Sequence, residues 1–452
     1  MRAALLAATA TVVLLAPAPV TVASAAPAST APATQAAPAT QAAPATQAAP
    51  ATQAAPATRA APATRAASAA PVAAAATETA AVRCPRVPAP AVSRPPRPTP
   101  PPDVPEQRTV GGAGLATSGL VVPAGVGAPP AITATSWLVA DLDTGQVLGG
   151  CGPHEYGTPA SVQKLLLAAT MMPRLDPKQM VTVTAADMNI EPGSSAVGLV
   201  EGGRYTIETI WLGLLLNSGN EAANALARLG GGSDGAAGGV RAMNEQAHRL
   251  GALQTHAVTP SGLDGKGQFT SAYDLALIAR ACFAQPTFRR YALTDQATIP
   301  AQPAQRTKGF QIQNENQLIY RFPGALGGKT GFTDLARHTY VGAAERDGRR
   351  LVATLLGAEP APMRGWEQGA ALLDWGFSVP RDAAVGRLVE PGELTATPSA
   401  LPSALAAPGA PRPAAASGPH PGSGWLWLVT AVSAAAVLVL LGGLLWRRRQ
   451  LP

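Results

Sequence analysis

Two stretches rich in alanine and proline confine any folded domain of this 452-residue chain to its middle. Residues 31–66 are six copies of the hexapeptide Ala-Pro-Ala-Thr-(Gln/Arg)-Ala, and proline stays frequent up to about residue 130. A six-residue repeat without large apolar side chains is too short for a solenoid unit and has nothing to bury. We therefore predict a disordered, extended linker over residues 26–130 and a second Ala/Pro-rich linker over residues 381–424. The folded domain is predicted over residues 131–380.

The two ends of the chain carry signals for export and for the membrane. Residues 1–25 contain Arg2, an apolar stretch and the small-residue pattern Ala23-Ser24-Ala25, as in a secretory signal peptide. Near the other end, Trp425–Trp446 has no charged residue and is long enough to cross about 30 Å of hydrocarbon as one transmembrane helix. Arginines follow it directly, so the positive-inside rule predicts a cytoplasmic tail over residues 447–452. These signals predict a single-pass protein of the cell membrane whose domain is extracytoplasmic, on the cell-wall side.

The basic character of the chain comes from outside its middle. The formal net charge is +7, but residues 109–379 hold 20 Lys and Arg against 21 Asp and Glu. A nearly neutral domain does not favour nucleic acid as a partner. The cysteines Cys84, Cys151 and Cys282 match no metal-ligand spacing, so no metal is predicted. Outside the cytoplasm one disulfide can form, and Cys84–Cys151 would attach the first linker to the domain.

Turn residues and apolar periodicity divide the middle of the chain into strands and helices. Strands are predicted over 136–141 and 146–149, around the turn Asp143-Thr-Gly145, and over 338–344 and 350–356, around Asp347-Gly348. Helices are predicted over 162–172, 206–229 with a break near 217–220, 271–283 and 367–377. Strands at both ends with helices between them predict one antiparallel sheet packed against helices.

A serine and a lysine at Ser161-Val-Gln-Lys164 have the spacing of a nucleophile and its base. At the start of a helix, residues three apart lie on one face, one turn from each other. A serine hydroxyl needs a neighbour to take its proton, and a lysine kept neutral by burial or by nearby positive charge can do so. The helix N-terminus also stabilises developing negative charge. By itself the motif is more typical of an N-cap serine with a surface lysine.

Two further motifs follow in chain order. Ser218-Gly219-Asn220, at the predicted helix break, could present a hydroxyl and an amide to a substrate, or could be a plain helix break. Lys329-Thr330-Gly331, at a predicted strand start, would offer a charge and a hydroxyl to an anionic terminus, and Gly331 would let a peptide approach the backbone closely. Ser-x-x-Lys, Ser-x-Asn and Lys-Thr-Gly in this order are the motif set of penicillin-binding proteins and serine β-lactamases.

Longer stretches make the resemblance more specific. Over about residues 134–378 the chain resembles the D-alanyl-D-alanine carboxypeptidases, the low-molecular-mass penicillin-binding proteins of peptidase family S11. The stretches that carry the resemblance are Pro159–Lys164, Gly213–Ala223, Thr259–Asp264, Thr270–Leu275, Gly328–Asp334 and Arg346–Leu351. The resemblance implies an α/β (α+β) fold of the β-lactamase/DD-peptidase type, with a five-stranded antiparallel sheet, flanking helices and a helical subdomain.

The resemblance also implies a reaction, removal of the terminal D-Ala from peptidoglycan stem peptides through an acyl-enzyme. The implied roles are Ser161 as nucleophile, Lys164 as general base, Ser218 as proton relay to the leaving amine, Asn220 on the peptide amide, Lys329, Thr330 and Gly331 at the terminal carboxylate, and the backbone N–H groups of Ser161 and Phe332 as the oxyanion hole. Water then hydrolyses the acyl-enzyme. β-Lactam antibiotics are implied as covalent inhibitors at the same serine, and neither a metal nor another cofactor is needed.

Four positions depart from the family pattern. Gln163 stands where threonine is common, and Phe332 where histidine or tyrosine is frequent. Glu315 lies where some members carry an arginine near the substrate carboxylate, which could alter the substrate preference. Arg337 falls where glycine is usual, which could change a loop.

Other functions fit parts of the same pattern. A DD-endopeptidase would use the same residues on cross-links. A β-lactamase would need a deacylating glutamate after Ser218, and that region offers Glu221 and Glu245, both in helix-like contexts. A non-catalytic, wall-associated scaffold, built around the linkers, would not need Ser161 and Lys164, yet both are present.

Overall fold

The computed structural model describes residues 81–395. The predicted signal peptide, the hexapeptide repeats and the predicted transmembrane helix Trp425–Trp446 lie outside these residues. None of the helices within residues 81–395 combines the length and the apolar character that a membrane crossing requires.

Most strands of the described residues belong to one antiparallel sheet. The strands are β1 Leu120–Val121, β2 Ser136–Asp141, β3 Gln146–Cys151, β4 Met180–Thr182, β5 Arg204–Thr206, β6 Gln296–Ile299, β7 Phe310–Gln313, β8 Ala325–Thr333, β9 Arg337–Arg346, β10 Arg349–Ala358 and β11 Gly386–Arg387. The main sheet has the order β1-β3-β2-β10-β9-β8, and β11 also pairs with β3. Its five longer strands match the predicted five-stranded sheet, and the two-residue strands β1 and β11 extend it to seven. Strands β4 and β5, and β6 and β7, form two small separate pairs.

The helices of the described residues cover both faces of the main sheet. They are α1 Pro105–Arg108, α2 Lys164–Met171, α3 Ile207–Leu216, α4 Asn220–Gly230, α5 Gly235–Leu250, α6 Ala272–Ala284, α7 Pro286–Ala292, α8 Leu318–Arg321 and α9 Gly365–Ser378. Helix α9 packs on β9 and β10 from one side, and α6 packs on β2 and β10. Helices α2 to α5 form a helical subdomain in contact with one another. The α+β architecture predicted from the chain order is therefore confirmed.

Strand β2 shows why the sheet is covered on both sides. Its six residues are all buried, and successive side chains of a strand point to opposite faces. Trp137 and Val139 belong to the apolar cluster beneath α9, whereas Leu138 and Ala140 belong to the larger cluster with the helical subdomain. The sheet therefore separates two apolar cores, and its central strands carry no solvent face.

Turn chemistry sets the hairpin between β9 and β10. Asp347 and Gly348 have φ angles of 52° and 70°, the left-handed region that a two-residue hairpin turn of matching twist requires. The predicted turn at Asp347-Gly348 is confirmed. The pairing it fixes joins β10 to β9 on one side and to β2 on the other, so β10 lies near the centre of the sheet.

The predicted first linker, residues 26–130, is wrong for its last part. Residues 81–130 contain α1 and β1, and Leu115 is fully buried in the main core. The Sγ atoms of Cys84 and Cys151 are bonded, so the proposed disulfide attaches this segment to β3. Proline removes the apolar periodicity from which structure is predicted, but it does not prevent a segment from packing on a domain that anchors it. We call residues 81–104 the N-terminal arm.

The second predicted linker, residues 381–424, also begins too early. Strand β11 pairs with β3, and Leu388 and Val389 are buried in the main core. The N–H of Arg387 donates to the carbonyl of Gly111, so the segment after α9 packs beside the one before β1. The described domain therefore extends past the predicted boundaries of 131 and 380 on both sides, because the short strands β1 and β11 outside this range complete the sheet.

Removing the Cys84–Cys151 disulfide should lower stability without unfolding the domain. The bond closes a loop of 67 residues, and such cross-links typically contribute about 2–4 kcal/mol to the free energy of unfolding. We expect the Cys84→Ala/Cys151→Ala variant to lose about that amount in urea denaturation. Reducing the unmodified chain should bring its stability down to that of the variant, and the same treatment should leave the variant unchanged. Equal stability of both proteins under oxidising conditions would contradict the prediction.

Candidate active site

Ser161 lies in a 3₁₀ turn and not at the first residue of the α-helix that follows it. The turn covers Ala160–Gln163 and leads into α2, whose first residue is Lys164. Ala160 has a φ angle of 50°, an unusual conformation for a residue other than glycine. Non-glycine residues held in such conformations cluster at functional sites, where the surrounding structure enforces them.

Lys164 is completely buried, and its amine meets three oxygen atoms. Nζ lies 2.8 Å from Ser161 Oγ, 2.8 Å from Asn220 Oδ1 and 2.9 Å from the main-chain oxygen of Ser261. Burial moves the pKa of Lys164 well below its ordinary value, and the positive charge of Lys329 lowers it further. A neutral amine has two hydrogens and one lone pair. If Asn220 and Ser261 accept the two hydrogens, the lone pair is left for the hydroxyl hydrogen of Ser161.

The predicted break between two helices is confirmed, and it turns Ser218 and Asn220 toward the same cavity. Helix α3 ends at Leu216 and α4 begins at Asn220. Ser218 has a φ angle of 61°, so the backbone reverses there in a left-handed conformation. Its Oγ is buried and has no hydrogen-bond partner within residues 81–395. A buried hydroxyl without a partner is costly, which is consistent with a group that a substrate would satisfy.

Strand β8 brings the third motif to the cavity. Lys329 is buried, and its Nζ donates to the main-chain oxygen of Thr330 at 2.9 Å. Burial lowers the pKa of Lys329 to about 8, and the negative charge of Glu315 limits the decrease. At neutral pH Lys329 therefore remains largely protonated, and its positive charge adds to the burial that lowers the pKa of Lys164.

Position 331 must be glycine because β8 passes very close to the turn that carries Ser161. A Cβ atom at Gly331 would lie 2.4 Å from Thr339 Oγ1 and 2.8 Å from the nitrogen of Ser161. Thr339 on β9 also donates to the carbonyl oxygen of Pro159 at 2.8 Å. The sequence suggested that Gly331 leaves room for a peptide, whereas in the structure that space is taken by the Ser161 turn.

These residues meet in one cavity of about 780 Å³. Lys164 and Lys329 lie beneath it, and the other predicted site residues reach its surface. The lining residues are Ser161, Glu191, Pro192, Gly193, Ser194, Ser195, Ser218, Asn220, Gly262, Leu263, Asp264, Glu315, Thr330, Gly331, Phe332, Thr333, Asp334 and His338. Within residues 81–395 no group of His, Cys, Asp and Glu side chains could hold a metal ion.

Two of the departures from the family pattern have clear places in this site. Glu315 lines the cavity, and its Oε1 accepts a hydrogen bond from Asn217 Nδ2 at 3.2 Å. Gln163 is buried, and its Nε2 donates to the main-chain oxygen of Thr259 and to Gln268 Oε1, both at 3.1 Å. Gln163 therefore ties the serine turn to the loop that carries the Lys164 contact at Ser261.

The remaining two departures form one cluster beside the cavity. Arg337 has a φ angle of 56°, so it keeps the backbone conformation for which glycine is suited. Its guanidinium donates to both carboxylate oxygens of the buried Glu359, each at 3.0 Å, and lies 5.1 Å from the ring centroid of Phe332. Arg94 of the N-terminal arm donates to the same carboxylate at 2.5 Å. The arm thus contacts the cluster that supports the end of β8.

Two contributors to the site were not predicted. The main-chain oxygen of Ser261 binds Lys164, and the side chain of Thr339 fixes the serine turn. The stretch Thr259–Asp264 was part of the resemblance, but a main-chain acceptor cannot be read from side-chain identities. The only sequence signal for Thr339 is that a hairpin of β8 and β9 would pair it with Gly331.

Comparisons with known proteins identify the family of this chain. The family model described as Peptidase_S11, D-alanyl-D-alanine carboxypeptidase, matches residues 124–360. D-alanyl-D-alanine carboxypeptidase DacB2 of Mycobacterium tuberculosis is 44% identical over 59% of this chain and 90% of its own length. DacD of Salmonella typhimurium is 36% identical over 55% of this chain and 64% of its own length.

Solved structures show the same fold. The crystal structure of D-alanyl-D-alanine carboxypeptidase from Mycobacterium tuberculosis H37Rv superposes with a TM-score of 0.55, at 43% identity, over 59% of this chain and 100% of that one. The Streptomyces K15 DD-transpeptidase superposes with a TM-score of 0.53, at 25% identity, over 56% of this chain and 100% of that one. The described domain thus accounts for the whole of both chains.

The charge of Lys329 should respond to Glu315. We expect Lys329 to titrate with a pKa of about 8 and the Glu315→Gln variant to lower this value, because the Glu315 carboxylate raises it. The measurement is the ¹³Cε chemical shift of Lys329 against pH, assigned with Lys329→Arg. Glu245→Gln, on an exposed position of α5, is the matched control and should leave the midpoint unchanged. The same midpoint in Glu315→Gln and in the unmodified chain would contradict the prediction.

Proposed function

This chain belongs to the S11 family of D-alanyl-D-alanine carboxypeptidases, and from that premise we propose that Ser161 removes the terminal D-Ala of peptidoglycan stem pentapeptides through an acyl-enzyme. The observation that carries the proposal is the contact of Lys164 Nζ with Ser161 Oγ at 2.8 Å, made by an amine whose pKa burial lowers. A lysine in this state is a competent base for a serine hydroxyl.

In the first step Ser161 attacks the carbonyl carbon between the two terminal D-Ala residues, and Lys164 takes the hydroxyl proton. The oxygen of that carbonyl becomes negative, and the backbone N–H groups of Ser161 and Phe332 are proposed to stabilise it. When the C–N bond breaks, the leaving D-Ala amine needs a proton, and Ser218 is proposed to pass it on from Lys164. Water then attacks the ester, and a proton returns to Ser161 as the shortened peptide leaves.

Residues of β8 and of α4 are proposed to orient the substrate in the cavity. Lys329, with a pKa of about 8, keeps a positive charge near the terminal carboxylate at neutral pH, and Thr330 adds a hydroxyl. Asn220, whose Oδ1 already binds Lys164, can offer its amide hydrogens to the peptide. Gly331 allows β8 to lie against the serine turn, so the carboxylate end of the substrate and the nucleophile are held at a fixed separation.

The membrane attachment and the cell-wall location are part of the proposal. The predicted signal peptide and Trp425–Trp446 would tether the domain outside the membrane, where peptidoglycan is its partner. The disulfide between Cys84 and Cys151 is consistent with folding outside the cytoplasm. β-Lactams are the expected covalent inhibitors, and the linkers would set the distance between the domain and the bilayer.

Neither glutamate that the sequence offers as a deacylating base for a β-lactamase lines the cavity. Glu221 is fully buried, with one carboxylate oxygen bound to backbone amides, and Glu245 is an exposed residue of α5 that does not line the cavity. DD-endopeptidase activity would use the same catalytic residues, so only the substrate distinguishes it.

The direct test is mass spectrometry of the full-length chain, purified in detergent, after incubation with penicillin and, separately, with a stem pentapeptide. We expect a stable penicillin adduct on Ser161 and release of one D-Ala from the pentapeptide, because Ser161 has a base at hydrogen-bond distance and neither Glu221 nor Glu245 lines the cavity to deacylate the enzyme rapidly. Cleavage of a cross-linked dimer with the pentapeptide left intact would favour an endopeptidase. Rapid turnover of penicillin with the pentapeptide intact would favour a β-lactamase. No reaction in a folded sample would favour the non-catalytic scaffold.

The Lys164→Ala variant should lose acylation while keeping its fold. A positioned general base typically contributes about 10²- to 10⁴-fold to the rate, so we expect penicillin labelling to slow by at least that range. The measurement is the rate of adduct formation, with circular dichroism as the check on folding. Lys178→Ala, at an exposed position, is the matched control and should label at the normal rate. Near-normal labelling of Lys164→Ala would exclude Lys164 as the base.

A further inference from the structure

Glu221 is a fully buried acid that the proposed reaction does not use. It is the second residue of α4 and directly follows Asn220. Within residues 81–395 it forms no ion pair with any lysine, arginine or histidine. A buried carboxylate without a cationic partner is costly, so its other contacts must compensate for the lost hydration.

Those contacts are three consecutive backbone amides, all on Oε1, whereas the buried Oε2 has no hydrogen-bond partner within residues 81–395. Glu221 Oε1 accepts N–H groups from Val197 at 2.7 Å, Gly198 at 2.8 Å and Leu199 at 3.3 Å. Gly198 has a φ angle of 94°, which only glycine adopts readily, and this lets successive N–H groups converge on one oxygen. Hydrogen bonds to a charged acceptor are about twice as strong as neutral ones. The carboxylate therefore holds the end of a backbone segment that contains neither a strand nor a helix.

That segment, residues 191–199, is one wall of the catalytic cavity, and we call it the cleft segment. Residues 191–195 line the cavity together with Ser161 and Ser218. The carbonyl oxygen of Ser195 accepts the backbone N–H of Asn220 at 2.9 Å. Val197 packs on the helix break, because a Cβ atom at Gly219 would lie 3.2 Å from it. The cleft segment therefore contacts the Ser-Gly-Asn motif directly, and the hydrogen bonds of Glu221 add a further link between them.

We propose that Glu221 is a positioning residue, whose carboxylate fixes the cleft segment against α4 and so holds Asn220 and Ser218 in place toward Ser161. This inference rests on the proposed function, since it concerns the same cavity. Glu221 acts through its neighbours and not on the substrate, because its side chain has no exposed surface and does not line the cavity.

The charge of Glu221 has a second consequence at Lys164. The charged groups that face Lys164 are Lys329 on β8, Glu221 on α4 and Glu315 in the loop before α8. Burial and Lys329 lower the pKa of Lys164, and the two carboxylates raise it. Because Lys164 acts as a base in its neutral form, removing the charge of Glu221 should move the acid limb of the acylation rate to lower pH.

The experiment compares Glu221→Ala and Glu221→Gln in the full-length chain, with Glu245→Ala and Glu245→Gln as matched controls on an exposed position of α5. Two quantities are measured: hydrogen–deuterium exchange across the domain, and the penicillin acylation rate against pH. For Glu221→Ala we expect faster exchange confined to residues 191–199 and slower acylation by about 10²-fold, the effect of misplacing groups by about 1 Å. For Glu221→Gln, which keeps an acceptor oxygen, we expect smaller losses and the shifted acid limb.

Specific outcomes would overturn the inference. Wild-type exchange at residues 197–199 in Glu221→Ala would show that the carboxylate does not hold the cleft segment. Faster exchange throughout the sheet would show a general role in stability instead. If Glu221→Ala does not fold, Glu221→Gln decides, and an acid limb identical to that of the unmodified chain would overturn the role at Lys164. Absence of any penicillin adduct on the unmodified chain would contradict the proposed function, whereas the exchange pattern tests Glu221 by itself.

Discussion

The site depends on one lysine that is removed completely from water. Lys164 meets Ser161 from its own turn, Asn220 from α4 and the main-chain oxygen of Ser261 from the loop after α5, so three separate segments converge on one nitrogen. Burying an ammonium group is unfavourable, and a lysine can relieve the cost by losing its proton. The same burial that would destabilise a charged amine therefore prepares a neutral one. The packing of the helical subdomain against the sheet is what keeps water from this nitrogen.

A second lysine, close enough to act on the first, has a pKa that burial lowers less strongly. Lys329 is also buried, but its pKa falls only to about 8, since Glu315 opposes the effect of burial. Its positive charge in turn lowers the pKa of Lys164. Two like groups whose environments push their pKa values apart can take different roles, one as base and one as carboxylate partner. Glu315 thus has a place in the electrostatics of this chain.

The segments outside the region matched by the family model are part of the domain. The N-terminal arm is bonded to β3 through Cys84 and brings Arg94 to the carboxylate that holds Arg337. Arg337 in turn lies over Phe332, whose backbone N–H is the proposed oxyanion donor. The N-terminal arm has little secondary structure, yet it can support the end of β8. An ion pair and a disulfide attach it to the domain in place of a buried apolar face.

Much of the fold was determined by the sequence alone, because it is encoded in local signals. Alternating and 3.6-residue periodicity, the turn at Asp347-Gly348 and the helix break before Asn220 each depend on residues close in the chain, and the helices and strands predicted from them lie within a few residues of the observed ones. The predicted strand start at Lys329 is wrong, because Lys329 is the fifth residue of β8. The motifs likewise named the residues that meet in the cavity. Only the tertiary structure decided which contacts give these residues their properties. The carbonyl oxygen of Ser261 binds Lys164, Gly331 lies against the serine turn, and backbone amides bind Glu221. The tertiary structure also decided that residues 81–130 pack on the domain. These contacts join segments far apart in the chain and involve backbone atoms that every residue carries, so residue identity does not reveal them.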